Sequence, residues 1–169
     1  WLVDRYFDAV IVHADPGFAQ LQDSFKPSRA MRTPVWHSGF VVPQRAAAAP
    51  APRGDHLLVS AGGGIVGDAL FRAAIDAHRR TQTPMRIVAG PFLPEPQWQA
   101  LQTLAAPLPR VTLVRHVSDL AAEMRAARAS ISQCGYNTAL DLVVSEVPAL
   151  VVPYGTVTEN EQQHRALRL

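Results

Sequence analysis

The sequence predicts an α/β fold built on an open, doubly wound parallel sheet. Three observations carry this expectation. From residue 56 onward, short apolar runs alternate with longer segments of helical periodicity. The runs are short and apolar on both faces, as suits strands covered by helices on two sides. The segments rich in glycine and polar residues follow the runs, and in such a sheet ligands bind outside the carboxyl ends of the strands.

Before that alternation lie two strand-like runs, Ala9–Val12 and Val35–Val42, with a short helix expected between them over Phe18–Phe25. This piece is too small for a core of its own and reads as the close of a preceding domain. The stretch Gln44–Gly54, QRAAAAPAPRG, is dominated by Ala and Pro without apolar periodicity, the composition of a linker. The expected domains are therefore 1–43, the end of an N-terminal domain; 44–55, a linker; and 56–169, a C-terminal domain. The chain starts at Trp1 and stops at Leu169 inside a helical pattern, which suggests a fragment cut at both ends.

In the regular part, His56–Ser60 is the first strand. A helix follows near Asp68–Arg80, with Leu70, Phe71, Ala74 and Ile75 on one face. Met85–Ala89 is the second strand. Pro94 and Pro96 open a helix over Glu95–Leu104. Val111–Arg115 is the third strand, and Ser118 is the expected cap of a helix over Asp119–Ala127. Ala129–Gln133 is the fourth strand, Thr138–Ser145 the next helix, and Ala149–Val152 a fifth, very apolar strand closed by Pro153. A last helix starts near Glu159.

Composition narrows the function. Of the 169 residues 48% are hydrophobic and 18% charged, a globular balance, and the net charge is only +2. Arg is scattered rather than blocked with aromatics, so nucleic acid is not an expected partner. The single Cys134 forms no internal disulfide. No apolar run is long enough to cross a bilayer. The six His form no HxxxH or HExxH pair, and no metal site is expected. GxSxG and GxxxxGK[ST] are both missing, which excludes a nucleophile elbow and a P-loop.

Four loops follow strands and carry the candidate chemistry. The first, AGGGIVGD, satisfies GxGxxG through Gly62, Gly64 and Gly67 between a strand and a helix. Glycine there allows a tight turn, close approach of a phosphate and N–H groups at a helix start. A dinucleotide site would want an acid at the end of the next strand, which instead ends Ala89-Gly90-Pro91-Phe92, so NAD and FAD are not expected. The second, Arg115–Ser118, offers backbone groups that could read a base edge over Val117 and Leu120, with His116 alongside.

The third loop, CGYNT, places Gly135 at a sharp turn and Tyr136, Asn137 and Thr138 at a helix N-terminus. That arrangement suits a diphosphate. Asp141 lies one turn beyond Asn137 on the same face, where a carboxylate can accept two ribose hydroxyls. The plain alternative is a capping Asn137 and an Asp141 set against the helix dipole. The fourth loop runs from Tyr154 into Asn160, Glu161, Gln162 and Gln163, polar groups suited to sugar hydroxyls. Adjacent helical residues point about 100° apart, so only two or three can face one ligand.

With these residues in view, the chain resembles the GT-B glycosyltransferases, and most closely the family 28 group that includes the lipid II N-acetylglucosaminyltransferases. The likeness covers roughly Leu57 to the end. It is most specific in Gly135 to Asp141, in VPALVVP from Val147 to Pro153, and in NEQQ from Asn160 to Gln163. It implies a Rossmann-like donor-binding domain, with residues up to about Pro43 closing an acceptor-side domain.

For the site, the resemblance implies that Gly62, Gly63 and Gly64 face the donor phosphates. His116, Val117 and Leu120 would lie beside uracil. Gly135, Tyr136, Asn137 and Thr138 would hold the diphosphate, and Asp141 the ribose. Gln162 and Gln163 would contact sugar and ribose, with Asn160 and Glu161 adjacent. The chain departs from the family in having Asp141 where Glu is frequent, Cys134 and Tyr136 where smaller residues are commoner, and Asn160-Glu161 in place of an Asp.

The implied function is metal-independent transfer of a sugar from a nucleoside-diphosphate donor, with uracil as the expected base, to an unidentified acceptor, in a cytoplasmic protein with membrane contact left open. No cofactor is implied and no catalytic residue is assigned. The fragment alone is expected to be inactive. Two other readings fit the same residues: a UDP-sugar 2-epimerase-like enzyme and a non-catalytic nucleotide-sugar-binding domain.

Overall fold

A computed structural model describes residues 2–42, 52–157 and 159–169. Most of the expected linker, residues 44–51, lies outside these, as do Pro43 and Thr158.

Residues 57–151 form one five-stranded sheet with every neighbouring pair parallel. Numbering all elements from the chain start, its strands are β3 (Leu57–Ser60), β4 (Met85–Val88), β5 (Val111–Val114), β6 (Ala129–Ser132) and β7 (Ala149–Val151). Their spatial order is β5-β4-β3-β6-β7. The chain first winds outward from β3 through β4 to β5, then returns to the other side of β3. The order reverses between β3 and β6, and their carboxyl ends diverge there into a crevice.

The helices between the strands are α3 (Asp68–Thr81), α4 (Glu95–Ala105), α5 (Leu120–Ala126) and α6 (Tyr136–Ser145). Successive residues of β3 point to opposite faces. Val59 joins a core with Phe71 and Ile75 of α3, Ile87, and Leu101 of α4. Leu58 joins a second core with Met124 of α5 and Leu142 of α6. The sheet is thus sealed on both faces, and burying each such large side chain stabilises the fold by about 1.5–3 kcal/mol.

Observed boundaries shift from the sequence reading by a residue or two at most ends. The helix expected from Thr138 begins at Tyr136, with Gly135 as its N-cap. The cap of α5 is Asp119, whose carboxylate accepts the Ala122 N–H at 2.8 Å; Ser118 does not fill this role. The fifth strand is less buried than its composition suggested. As an edge strand, β7 pairs with β6 alone, and Leu150 is 62% exposed.

The N-terminal segment holds α1 (Leu2–Tyr6), β1 (Val10–Val12), α2 (Leu21–Ser24) and β2 (Val35–His37), with β1 and β2 paired in parallel. The run Val35–Val42 is therefore strand only over its first three residues, and the helix expected over Phe18–Phe25 shrinks to one turn. Helix α1 was not foreseen, because five residues carry too little periodicity to register. Asp4 ties it down by accepting the Arg32 and Thr33 N–H groups at 2.8 and 3.0 Å. These bonds lower the Asp4 pKa.

The final helix, α7 (Glu161–Ala166), begins two residues later than expected. Just beyond it, Arg168 donates to the Phe18 carbonyl at 2.8 Å and to the Asp23 carboxylate, whose pKa that contact lowers. Among the described residues no helix is long and apolar enough to cross a membrane.

Candidate functional site

A cavity of about 540 Å³ opens at the carboxyl ends of β3 and β6, where the strand order reverses. Twelve of the fifteen residues singled out from sequence line it: Gly62, Gly63, Gly64, His116, Val117, Leu120, Gly135, Tyr136, Asn137, Thr138, Asp141 and Gln162. They come from four separate loops and the helices that those loops lead into, brought together because every loop follows a strand of one parallel sheet.

The floor is the start of α6. Its first intrahelical bond runs from the Ala139 N–H to the Gly135 carbonyl at 2.9 Å. The N–H groups of Tyr136, Asn137 and Thr138 therefore precede the helical ladder at its positive end. Thr138 is buried, Asn137 is exposed, and Asp141 stands one turn further along, half-buried in the wall.

The glycine loop forms the opposite wall, and its glycines also serve the geometry of the chain. The Gly62 N–H donates to Ser60 Oγ at 3.2 Å, and the Gly64 N–H to the Ala61 carbonyl at 3.1 Å. Two of the anticipated phosphate donors are thus engaged inside the loop. Gly64, at φ +90°, lies so close to the end of β4 that a Cβ would stand 2.0 Å from the Ala89 oxygen. Gly67 abuts Phe71, where a Cβ would meet ring atoms at 2.5 Å. Chain geometry accounts for both. Gly62 is the glycine that faces the helix, with a hypothetical Cβ 2.7 Å from Thr138 Oγ1.

Asn160, Glu161 and Gln163 do not line the cavity. Asn160 occupies the N-cap position of α7 without a side-chain cap bond, and its amide nitrogen lies 3.3 Å from His164 Nε2. Glu161 points towards Arg165, at 3.7 Å, and borders a small separate hollow beside Asp23 and Arg168. Gln163 is exposed and packs near Gly155. The cause is helical rotation: one residue of a single turn faces the cavity and its neighbours turn away.

Gln162 is the residue that faces in, and its carbonyl oxygen is already engaged. It accepts the Cys134 N–H at 2.9 Å and the Tyr154 N–H at 3.0 Å, holding two loops together. A ligand could be met only through its amide nitrogen.

Gln133, just past β6, and Val88, Gly90 and Pro91, around the end of β4, also line the cavity, and the sequence reading does not include them among the site residues. Gly90, at φ +91°, is forced by contact with the Gly62 and Gly63 backbone. The signal for Gly90 and Pro91 is their position directly after a strand. Cys134 is fully buried at the turn, and burial raises its pKa while the nearby Arg165 charge opposes that shift. Tyr136 reaches across the molecule: its hydroxyl donates to the His13 carbonyl at the end of β1. The His13 ring is turned towards Ser38, with Nδ1 2.8 Å from Oγ. Among the described residues, no group of three or more His, Cys, Asp or Glu side chains could hold a metal ion.

A parallel sheet covered by helices on both faces, with a cavity at its switch point floored by a helix N-terminus and walled by a glycine loop, defines a Rossmann-like α/β domain. Comparison with known proteins makes the class particular. Residues 67–169 match the glycosyltransferase family 28 C-terminal domain, and the chain belongs to that family.

A UDP-N-acetylglucosamine--N-acetylmuramyl-(pentapeptide) pyrophosphoryl-undecaprenol N-acetylglucosamine transferase of Carboxydothermus hydrogenoformans is 33% identical over 57 residues, 34% of this chain and 15% of that protein. The crystal structure of Acinetobacter baumannii MurG shares the fold, with a TM-score of 0.58 at 22% identity, over 98% of this chain and 45% of that one. CalG4, the calicheamicin glycosyltransferase, aligns with a TM-score of 0.60 at 21% identity, over 96% of this chain and 38% of its own. The chain thus spans less than half the length of each of these relatives.

Proposed function

We propose that the cavity binds the nucleoside diphosphate of a nucleotide sugar, with uracil as its base. The chain then supplies the donor half of an enzyme that transfers the sugar to an acceptor hydroxyl. Residues 1–43 are the close of an acceptor-side domain, 44–55 the linker and 56–169 the donor domain. The observation that carries this reading is the meeting of three features in one hollow: the open first turn of α6, the glycine loop after β3, and Asp141 one turn along α6.

The chemistry follows from these groups. When the glycosidic bond to the diphosphate breaks, negative charge grows on the leaving phosphate. The Tyr136, Asn137 and Thr138 N–H groups at the positive end of α6 stabilise it, and a preorganised donor of this kind is worth about 3–4 kcal/mol in a transition state. This reading requires no metal. Asp141 accepts the ribose hydroxyls, His116 and the Val117 backbone flank the base, and the Gly62–Gly64 wall leaves room for the phosphates. The proton of the acceptor hydroxyl goes to a base that none of these residues supplies.

Calorimetric titration of the 169-residue chain with UDP tests the reading. Weak binding is expected, unchanged between EDTA and Mg²⁺ buffers, and weakened about tenfold or more by Asp141→Ala. The chain by itself should show no sugar transfer. A folded chain that gives no response to UDP, or an Asp141→Ala variant that binds as well as the parent, would rule the donor site out.

A further inference from the structure

The cavity has a charge problem that its lining does not solve. Among the described residues that line it there is no Lys and no Arg, and Asp141 adds a negative charge. One buried cation stands behind the wall. Arg165, on α7, has a side chain only 12% exposed. Its Nη1 donates to the Cys134 carbonyl at 2.7 Å, and its guanidinium lies 5.9 Å from the centre of the Tyr136 ring. Its Nε is buried without a partner. Gln162, three residues earlier on the same helix face, accepts the Cys134 N–H. Both polar groups of the Cys134 backbone, immediately before the cap of α6, are therefore held by α7.

We propose that Arg165 is a positioning and charge-bearing residue of the donor site, acting through the Cys134–Tyr136 turn. This rests on the donor-site reading above. The guanidinium fixes the direction in which the first turn of α6 presents its N–H groups. From behind that turn it also contributes positive potential towards the diphosphate. Burial keeps the charge from being screened as a surface Arg would be. Its field is already felt at the turn, where it acts against the burial shift of the Cys134 thiol. Glu161, 3.7 Å from Nη2, offsets part of the charge but is itself open to solvent.

A strut and a charge-bearing residue differ in what they do to two ligands. UDP and uridine share base and ribose and differ in the diphosphate. The test measures the affinity of both for the parent chain, Arg165→Gln and Arg165→Lys. In Arg165→Gln the preference for UDP over uridine should fall about tenfold, with uridine affinity within about twofold of the parent. Arg165→Lys keeps the charge and one donor, and its preference should stay within about threefold of the parent. Its uridine binding also shows that the fold survives.

The proposal is overturned if Arg165→Gln leaves the preference unchanged, if both ligands weaken together, or if Lys falls as far as Gln. A parent chain that binds neither ligand removes the donor site, and this inference with it. A parent that binds both, with a preference indifferent to Arg165, removes the inference alone.

Discussion

The two glycine-bearing turns that face each other across the cavity look alike in sequence and differ in physics. In the Gly62–Gly67 loop, Gly64 and Gly67 are dictated from within. Gly64 takes a left-handed φ, and a Cβ on either residue would overlap neighbouring atoms. Gly135 is under no such constraint. Its φ is −60°, and a Cβ added there would meet nothing within 4 Å. A glycine motif therefore reports two different needs, and at Gly135 no neighbouring atom of the chain supplies the reason.

That contrast can be broken by substitution. The largest effect belongs to Gly64→Ala, which combines a disfavoured backbone with a clash and should cost about 2–5 kcal/mol in denaturant unfolding. A near-parental midpoint would mean that the loop does not pack on β4 as described. Gly135→Ala should change unfolding stability by less than about 1 kcal/mol, since its cap and chain-entropy effects oppose one another. The added methyl faces the cavity, and UDP affinity should drop about tenfold in calorimetry. If stability falls and affinity does not, the two turns are equivalent and the distinction fails. Cys134→Ser is the smallest change: the new hydroxyl sits where the thiol is fully buried, costing about 1 kcal/mol, with UDP affinity within about twofold of the parent.

Much of this architecture was legible because the pattern repeats. Five apolar runs separated by helical segments define a parallel sheet, and a parallel sheet sends every strand-following loop to one edge. That logic alone brings His116, Gly135 and Asp141 to one edge of the sheet. It could not tell which side of α7 turns inward, so Gln163 was grouped with Gln162 although a rotation of about 100° separates them. Nor could it see that the N–H groups of Gly62 and Gly64 bond within their own loop, because GxGxxG records only that side chains are missing. Arg165 escaped notice for a related reason. Its contacts with Cys134 and Tyr136 span about thirty positions of sequence, and a lone Arg in a short helix carries no local sign of them.

The chain has three tyrosines, and Tyr136 has a double membership. Its ring lines the cavity, and its hydroxyl bonds to the end of β1 in the other sheet. Spectroscopically this makes it a built-in reporter with two inputs. The NMR signals of its ring protons will register occupancy of the pocket and the spacing between the two sheets in one resonance. Following that signal through a UDP titration, in the parent and in a Tyr136→Phe control probed at the His13 backbone, would show whether filling the pocket also moves the segment beside it.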